Sequence, residues 1–248
     1  MAGALRVREL GRVAYADGLA LQHEVVAARR RGACPDTLLL LEHPPVVTLG
    51  RSHKADHLLL SREAMTARGI ELHEAARGGD VTYHAPGQLV GYPIVDLDAR
   101  GARDVHAWLR TLEGLVGEAL EGLGVRWRRV PGWTGVFVDD PRSAAAGARA
   151  RKIASIGVGL RGWVTCHGFA LNVDLDLAGF EAIVPCGLHA VEMTSVAREL
   201  ADRAPADLGA RARTAVREAF ERGLGKEADF ESADAQRGEA ERSGRPPG

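Results

Sequence analysis

Four short segments of this 248-residue chain set nucleophilic, polar or titratable side chains beside glycine or proline. The first is Arg77-Gly78-Gly79-Asp80-Val81-Thr82-Tyr83-His84, running on into Ala-Pro-Gly-Gln-Leu. Paired glycines permit positive φ and let a ligand approach the backbone with no Cβ in the way. Alone, the segment reads more readily as an ordinary hairpin with a satisfied histidine than as a ligand site. The second is Lys152-Ile153-Ala154-Ser155-Ile156-Gly157. Only three of the 32 basic side chains, Lys54, Lys152 and Lys226, are lysines. Arginine holds its proton in a protein, whereas lysine can lose it and act as a base. The competing reading is a surface lysine whose stem lies along apolar surface.

The third segment is His167-Gly168-Phe169-Ala170, directly after Cys166. Neighbours on a strand point to opposite faces, so Cys166 and His167 make a poor nucleophile–base pair. The fourth is Val184-Pro185-Cys186-Gly187-Leu188, where proline and glycine put Cys186 on a sharp turn. Such a turn suits a nucleophile with backbone N–H groups on either side. A thiol with an ordinary pKa of about 8.5 gains thiolate from a cationic neighbour, a charge that Lys152 could supply. From the residues alone, Cys186 reads equally as an inert loop thiol.

Composition narrows the field. Hydrophobic residues are 46% and charged residues 26%, as in an ordinary globular protein, with 32 basic against 33 acidic side chains. That balance gives no reason to expect nucleic acid or an anionic membrane as a partner. No apolar run approaches the roughly 20 residues of a bilayer span. Arg6, Arg8 and Glu9 leave no signal-peptide core. The expectation is a soluble, cytoplasmic protein. Three cysteines without a CxxC pair suit neither a disulfide framework nor a structural zinc site.

Periodicity then supplies the elements that must position these segments. Spacing predicts helices over 18–31, from the N-cap Ser61 to Gly69, over 104–123 and over 206–223. Strands are predicted at 37–41, 46–49, 70–74, 133–138, 152–160 and 164–173, with 81–83 and 89–95 flanking Pro86-Gly87 as a strand pair would. Residues 139–151, rich in Ala and Arg, read as a surface insertion, and 226–248 as a disordered tail. Helices and strands without regular βαβ alternation indicate an α+β fold, a mixed sheet in a single domain over 1–225.

Taken together the segments resemble the lipoyl(octanoyl) transferase family. The likeness rests on Glu42-His-Pro-Pro-Val-Val-Thr-Leu-Gly-Arg51, Arg77 to Leu89, Lys152 to Gly157, His167-Gly-Phe-Ala-Leu-Asn172 and Pro185 to Leu188, in that order. The resemblance implies the lipoate/biotin protein ligase-like fold. It also implies transfer of an octanoyl group from octanoyl-acyl carrier protein to a lysine of a lipoyl domain, in 2-oxoacid dehydrogenases and the glycine cleavage H protein. Family roles make Cys186 the acyl-accepting nucleophile and Lys152 its activating partner. Arg77, Gly78, Gly79, Asp80, Val81, Thr82, Tyr83, His84, Ser155, Ile156, Gly157, His167, Gly168, Phe169 and Ala170 would bind substrate. No metal, cofactor, nucleic acid or membrane is called for, and a monomer is expected. Phe169 would narrow the acyl site, leaving the preferred chain length open.

A thioester donor is already activated, so exchange onto Cys186 needs no ATP, and amide formation then runs downhill. Lys152 or a bound water would take the amine's proton. Arg126, Arg128 and Arg129, with Arg149 and Arg151, are expected to form a basic patch for an acidic carrier protein. Three other readings are an ATP-dependent lipoate or biotin ligase, a cysteine hydrolase using Cys186 with His84 or His167, and a carrier- or metal-binding module.

Overall fold

The apolar run Thr37–Glu42 is buried on both faces, and this decides the layering. Leu38 and Leu40 pack into one apolar cluster and Leu39 and Leu41 into another. A strand with a period of two and no exposed face must be covered on both sides. The computed structural model describes residues 5–139, 150–184 and 191–225. Of the segments singled out above, 140–149, Pro185 to Leu188 with Cys186, and 226–248 lie outside the described residues.

In chain order the strands are β1 (Arg6–Arg12), β2 (Thr37–Glu42), β3 (Val46–Leu49), β4 (Glu71–Glu74), β5 (Val81–His84) and β6 (Gln88–Ile94). Then come β7 (Trp127–Arg128), β8 (Val136–Val138), β9 (Ala150–Arg161), β10 (Val164–Asn172) and β11 (Val191–Met193). The helices are α1 (Tyr15–Arg30), α2 (Arg62–Ala67), α3 (Val105–Gly122), α4 (Val196–Leu200) and α5 (Leu208–Leu224). The larger sheet runs β1-β2-β6-β10-β9-β8-β7, with β11 added parallel to the start of β9. It is mixed: β1 and β2 are parallel, while β2, β6, β10 and β9 are antiparallel in turn. A smaller sheet has the order β4-β3-β5.

On one face of the large sheet, α3 and α5 bury their apolar stripes through Trp108, Leu112, Val116, Val216 and Phe220. On the other face α1 brings Val25 and Val26 against Leu39 and Leu41. Helix α3 begins where Asp104 accepts hydrogen bonds from the N–H groups of His106 and Ala107, at 2.8 and 3.0 Å. Ser61 caps α2 in the same way.

The expected pairing of 81–83 with 89–95 is not made, because β5 and β6 lie in different sheets. Gln88 explains the crossing: its side-chain amide donates to Tyr83 O at 3.1 Å and to Asn172 Oδ1 at 2.9 Å. The turn is therefore tied into the large sheet instead of closing a hairpin. The strand expected over 133–138 is shorter, since only Val136–Val138 pairs. Ala150 and Arg151, assigned to the insertion, open β9 opposite Val191 and Glu192.

Candidate active site

Strand register assembles the site. In the β9–β10 pair Gly157 lies opposite Gly168, Ile156 opposite Phe169 and Ser155 opposite Ala170, so two of the sequence segments become one patch of sheet. The Arg77 segment is held over this patch by backbone bonds. Gly78 N donates to Val158 O at 2.8 Å, and the N–H groups of Gly50, Arg51 and Ser52 donate to the carbonyls of Asp80, Arg77 and Gly79. The Arg77 guanidinium donates to the carbonyl and hydroxyl oxygens of Thr48, at 2.9 and 2.8 Å.

Between the two layers lies a cavity of about 410 Å³. Its wall includes Arg77, Gly79 to Thr82, His84, Lys152, Ser155 to Gly157 and His167 to Ala170. Gly78 and Tyr83, from the same segment, are not among the residues that line it. Alternation along β5 turns Thr82 and His84 toward the cavity, whereas the Tyr83 ring stands edge-on to Phe180, 5.5 Å away, in the other core.

Lys152 is 1% exposed, which overturns the surface reading of this residue. Its amine lies 5.7 Å from the centroid of the Phe137 ring. A bulge aims it. Ala154 pairs with Val136 and Lys152 with Phe137, two residues of β9 against one of β8. Both Ile153 and Ala154 therefore enter the core beneath α3, and Lys152 turns to the cavity side. Glu113 of α3, fully buried, supports the loop beside it by accepting from Gly135 N at 3.0 Å, and is paired with Arg110 and Arg129.

Two histidines of the cavity, His84 and His167, are held neutral. Burial first, and then neighbouring charges that include Arg77, push His84 down to about 3 and His167 down to about 4. His84 shares a 2.7 Å bond with Gln88 Oε1. The Gln88 amide nitrogen is already donating, so His84 Nδ1 carries the proton and its Nε2 is bare. His43, 0% exposed, donates from Nδ1 to Val13 O and accepts at Nε2 from the Tyr92 hydroxyl, both at 2.7 Å. Burial pushes the Cys166 thiol up, against thiolate formation. His167 adopts φ +56°, and its N–H donates to Gln22 Oε1 at 2.7 Å. Cys166 is thus a core thiol, as its strand position implied.

Several lining residues carried no signal in sequence: Tyr15, Tyr92, Lys54, His57, Trp133 and Thr134. Lys54, His57 and Tyr92 lie just beyond two of the segments, whereas Tyr15, Trp133 and Thr134 are more distant in sequence and the fold brings them to the cavity. The expected basic patch is not a free one. Arg129 is paired with Glu113 and Arg151 with Glu199, and Arg149 lies outside the described residues. Among the described residues no group of three or more His, Cys, Asp or Glu is placed to hold a metal ion. No described helix is long and apolar enough to cross a membrane.

This architecture is that of lipoate protein ligases. A solved lipoate-protein ligase A bound with ATP aligns with a TM-score of 0.65 at 21% identity, covering 94% of this chain and 88% of its own. A bi-partite lipoate protein ligase from Thermoplasma acidophilum gives 0.63 at 20% identity, covering 94% and 86%. At those identities the likeness is one of fold. Closer in sequence are octanoyltransferases: that of Geobacter metallireducens is 47% identical over 81% of this chain and 86% of its own length. That of Chloroflexus aurantiacus is 49% identical over 82% and 86%. A Myxococcus xanthus octanoyltransferase is 47% identical over 81% of this chain, which spans about half (55%) of that longer relative. Residues 14–219 match the family described as lipoyl protein ligase A/B catalytic domain. The chain belongs to that family and, within it, to the octanoyltransferases, which are acyltransferases.

Proposed function

We propose that this chain moves an octanoyl group from octanoyl-acyl carrier protein to a lysine of a lipoyl domain, in the cytoplasm, with residues 1–225 as the catalytic unit. Cys186 attacks the donor thioester and carries the acyl group, and Lys152 favours its thiolate. The lysine amine of the acceptor then attacks the carbonyl; a C–N bond forms, the C–S bond breaks and the thiol is restored. A thioester is activated enough for both steps to proceed without ATP.

The observation that carries this reading is the convergence of the Arg77, Lys152 and His167 segments on one cavity, with a buried lysine in its wall. Val184, two residues before Cys186 in sequence, donates its N–H to His57 O at 2.9 Å, and His57 also lines the cavity. Arg77 and the glycine segment around it would fix the acyl carbonyl.

Transfer to a purified lipoyl domain tests the reading. Octanoyl-acyl carrier protein without ATP should octanoylate the domain lysine. Activity confined to free octanoate plus ATP would instead assign the chain to the ligase chemistry of its fold relatives. Release of free octanoate with no amide formed would assign it to hydrolysis.

A further inference from the structure

The 3₁₀ turn Ala55–His57 places one histidine of the cavity wall apart from the others. His57 Nδ1 is hydrogen-bonded to Asp80 Oδ2, and both side chains are 12% exposed. Asp80 is itself fixed: its other carboxylate oxygen accepts from Lys54 N at 3.3 Å, and its carbonyl from Gly50 N at 3.0 Å. His57 is fixed from two sides, its N–H donating to Lys54 O at 3.1 Å and its carbonyl accepting from Val184 N at 2.9 Å. With Nδ1–H pointing at the carboxylate, the bare nitrogen is Nε2, and no described residue hydrogen-bonds it.

We infer that the His57–Asp80 pair is the proton acceptor for the incoming lysine. The proposal rests on the transferase reading. An acceptor lysine arrives as an ammonium ion and leaves as an amide nitrogen, losing two protons. One reprotonates the departing thiolate, and the other goes to His57 Nε2 and then to solvent. The bonds balance: C–N is made, C–S is broken, and one proton is released per turnover.

Position favours His57 over the other two cavity histidines. A proton placed on His84 or His167 would create a buried cation among groups that include Arg77, which already disfavours it. A proton on His57 is balanced by the Asp80 carboxylate, which also holds the ring in one tautomer and orientation. Its partial exposure gives the proton a way out.

The test is single-turnover decay of octanoyl-enzyme, loaded from octanoyl-acyl carrier protein, in His57→Gln and Asp80→Asn. Each is challenged with a lipoyl domain and, separately, with hydroxylamine, which is neutral at pH 7 and attacks without a base. Loss of a general base costs about 10²-fold or more. We expect a fall of that order toward the lipoyl domain in His57→Gln, only a few-fold change toward hydroxylamine, and a smaller selective loss in Asp80→Asn. Equal slowing toward both nucleophiles, failure of the variants to acylate, or no slowing at all would overturn the proposal. Failure of the unsubstituted chain to acylate would overturn the transferase reading itself, a distinguishable result.

Discussion

A Cβ on Gly135 would fall 2.5 Å from Cε of Lys152 and 3.1 Å from its Nζ, so the glycine's missing side chain is the space that the lysine fills. Gly135 also sits at φ +129°, where a side chain is strained. Gly135→Ala should displace the amine by an ångström or so and lower kcat on the order of 10²-fold. Steady-state transfer assays check this, with circular dichroism to confirm folding. Unchanged kcat would mean that the exact place of the amine is unimportant.

Lys152→Arg keeps a positive charge but needs room for a planar guanidinium where the side chain is already fully buried against Phe137. We expect much lower activity than in the unsubstituted chain. Near-normal kcat would reduce the role of this residue to charge.

Phe169 closes part of the cavity. Its ring stacks on Phe220 at 5.2 Å and occupies the space over Gly91, whose added Cβ would lie 2.1 Å from the ring. Phe169→Leu should open that end and raise kcat/KM for decanoyl relative to octanoyl donors by roughly tenfold. An unaltered ratio would place the methyl end of the acyl chain elsewhere.

Acid should destabilise the fold through two histidines. His84 at about 3 and His167 at about 4 bind protons less readily folded than unfolded, where 6.5 is usual. Stability is therefore full above pH 6.5 and falls as pH drops toward 4, by roughly 1.4 kcal/mol per pH unit for each histidine. Urea midpoints across that range check it, and His84→Gln should flatten the dependence. A midpoint independent of pH would contradict the burial of neutral imidazoles.

The layers were legible because β2 and α3 carry strong periodicity: Leu38 to Leu41 and the Trp108–Leu120 stripe state which faces are covered. Lys152 was legible by its rarity, but its direction was not. Plain alternation sets it on the Ala154 face, and only the bulge opposite Val136 and Phe137 turns it into the cavity. The separation of β5 from β6 was hidden because a Pro-Gly turn between two strands looks the same whether or not they pair, and the deciding contacts come from Gln88 to Asn172. His57 gave no signal, since its meaning comes from Asp80, 23 residues away.

The central claim is that Cys186 carries the acyl group. Its most direct test is the intact mass of the protein after brief incubation with octanoyl-acyl carrier protein, with no lipoyl domain present. One octanoyl adduct, discharged by hydroxylamine and absent from Cys186→Ala, is expected. An adduct that persists in Cys186→Ala, or none in the unsubstituted chain under conditions where it octanoylates a lipoyl domain, would contradict the account.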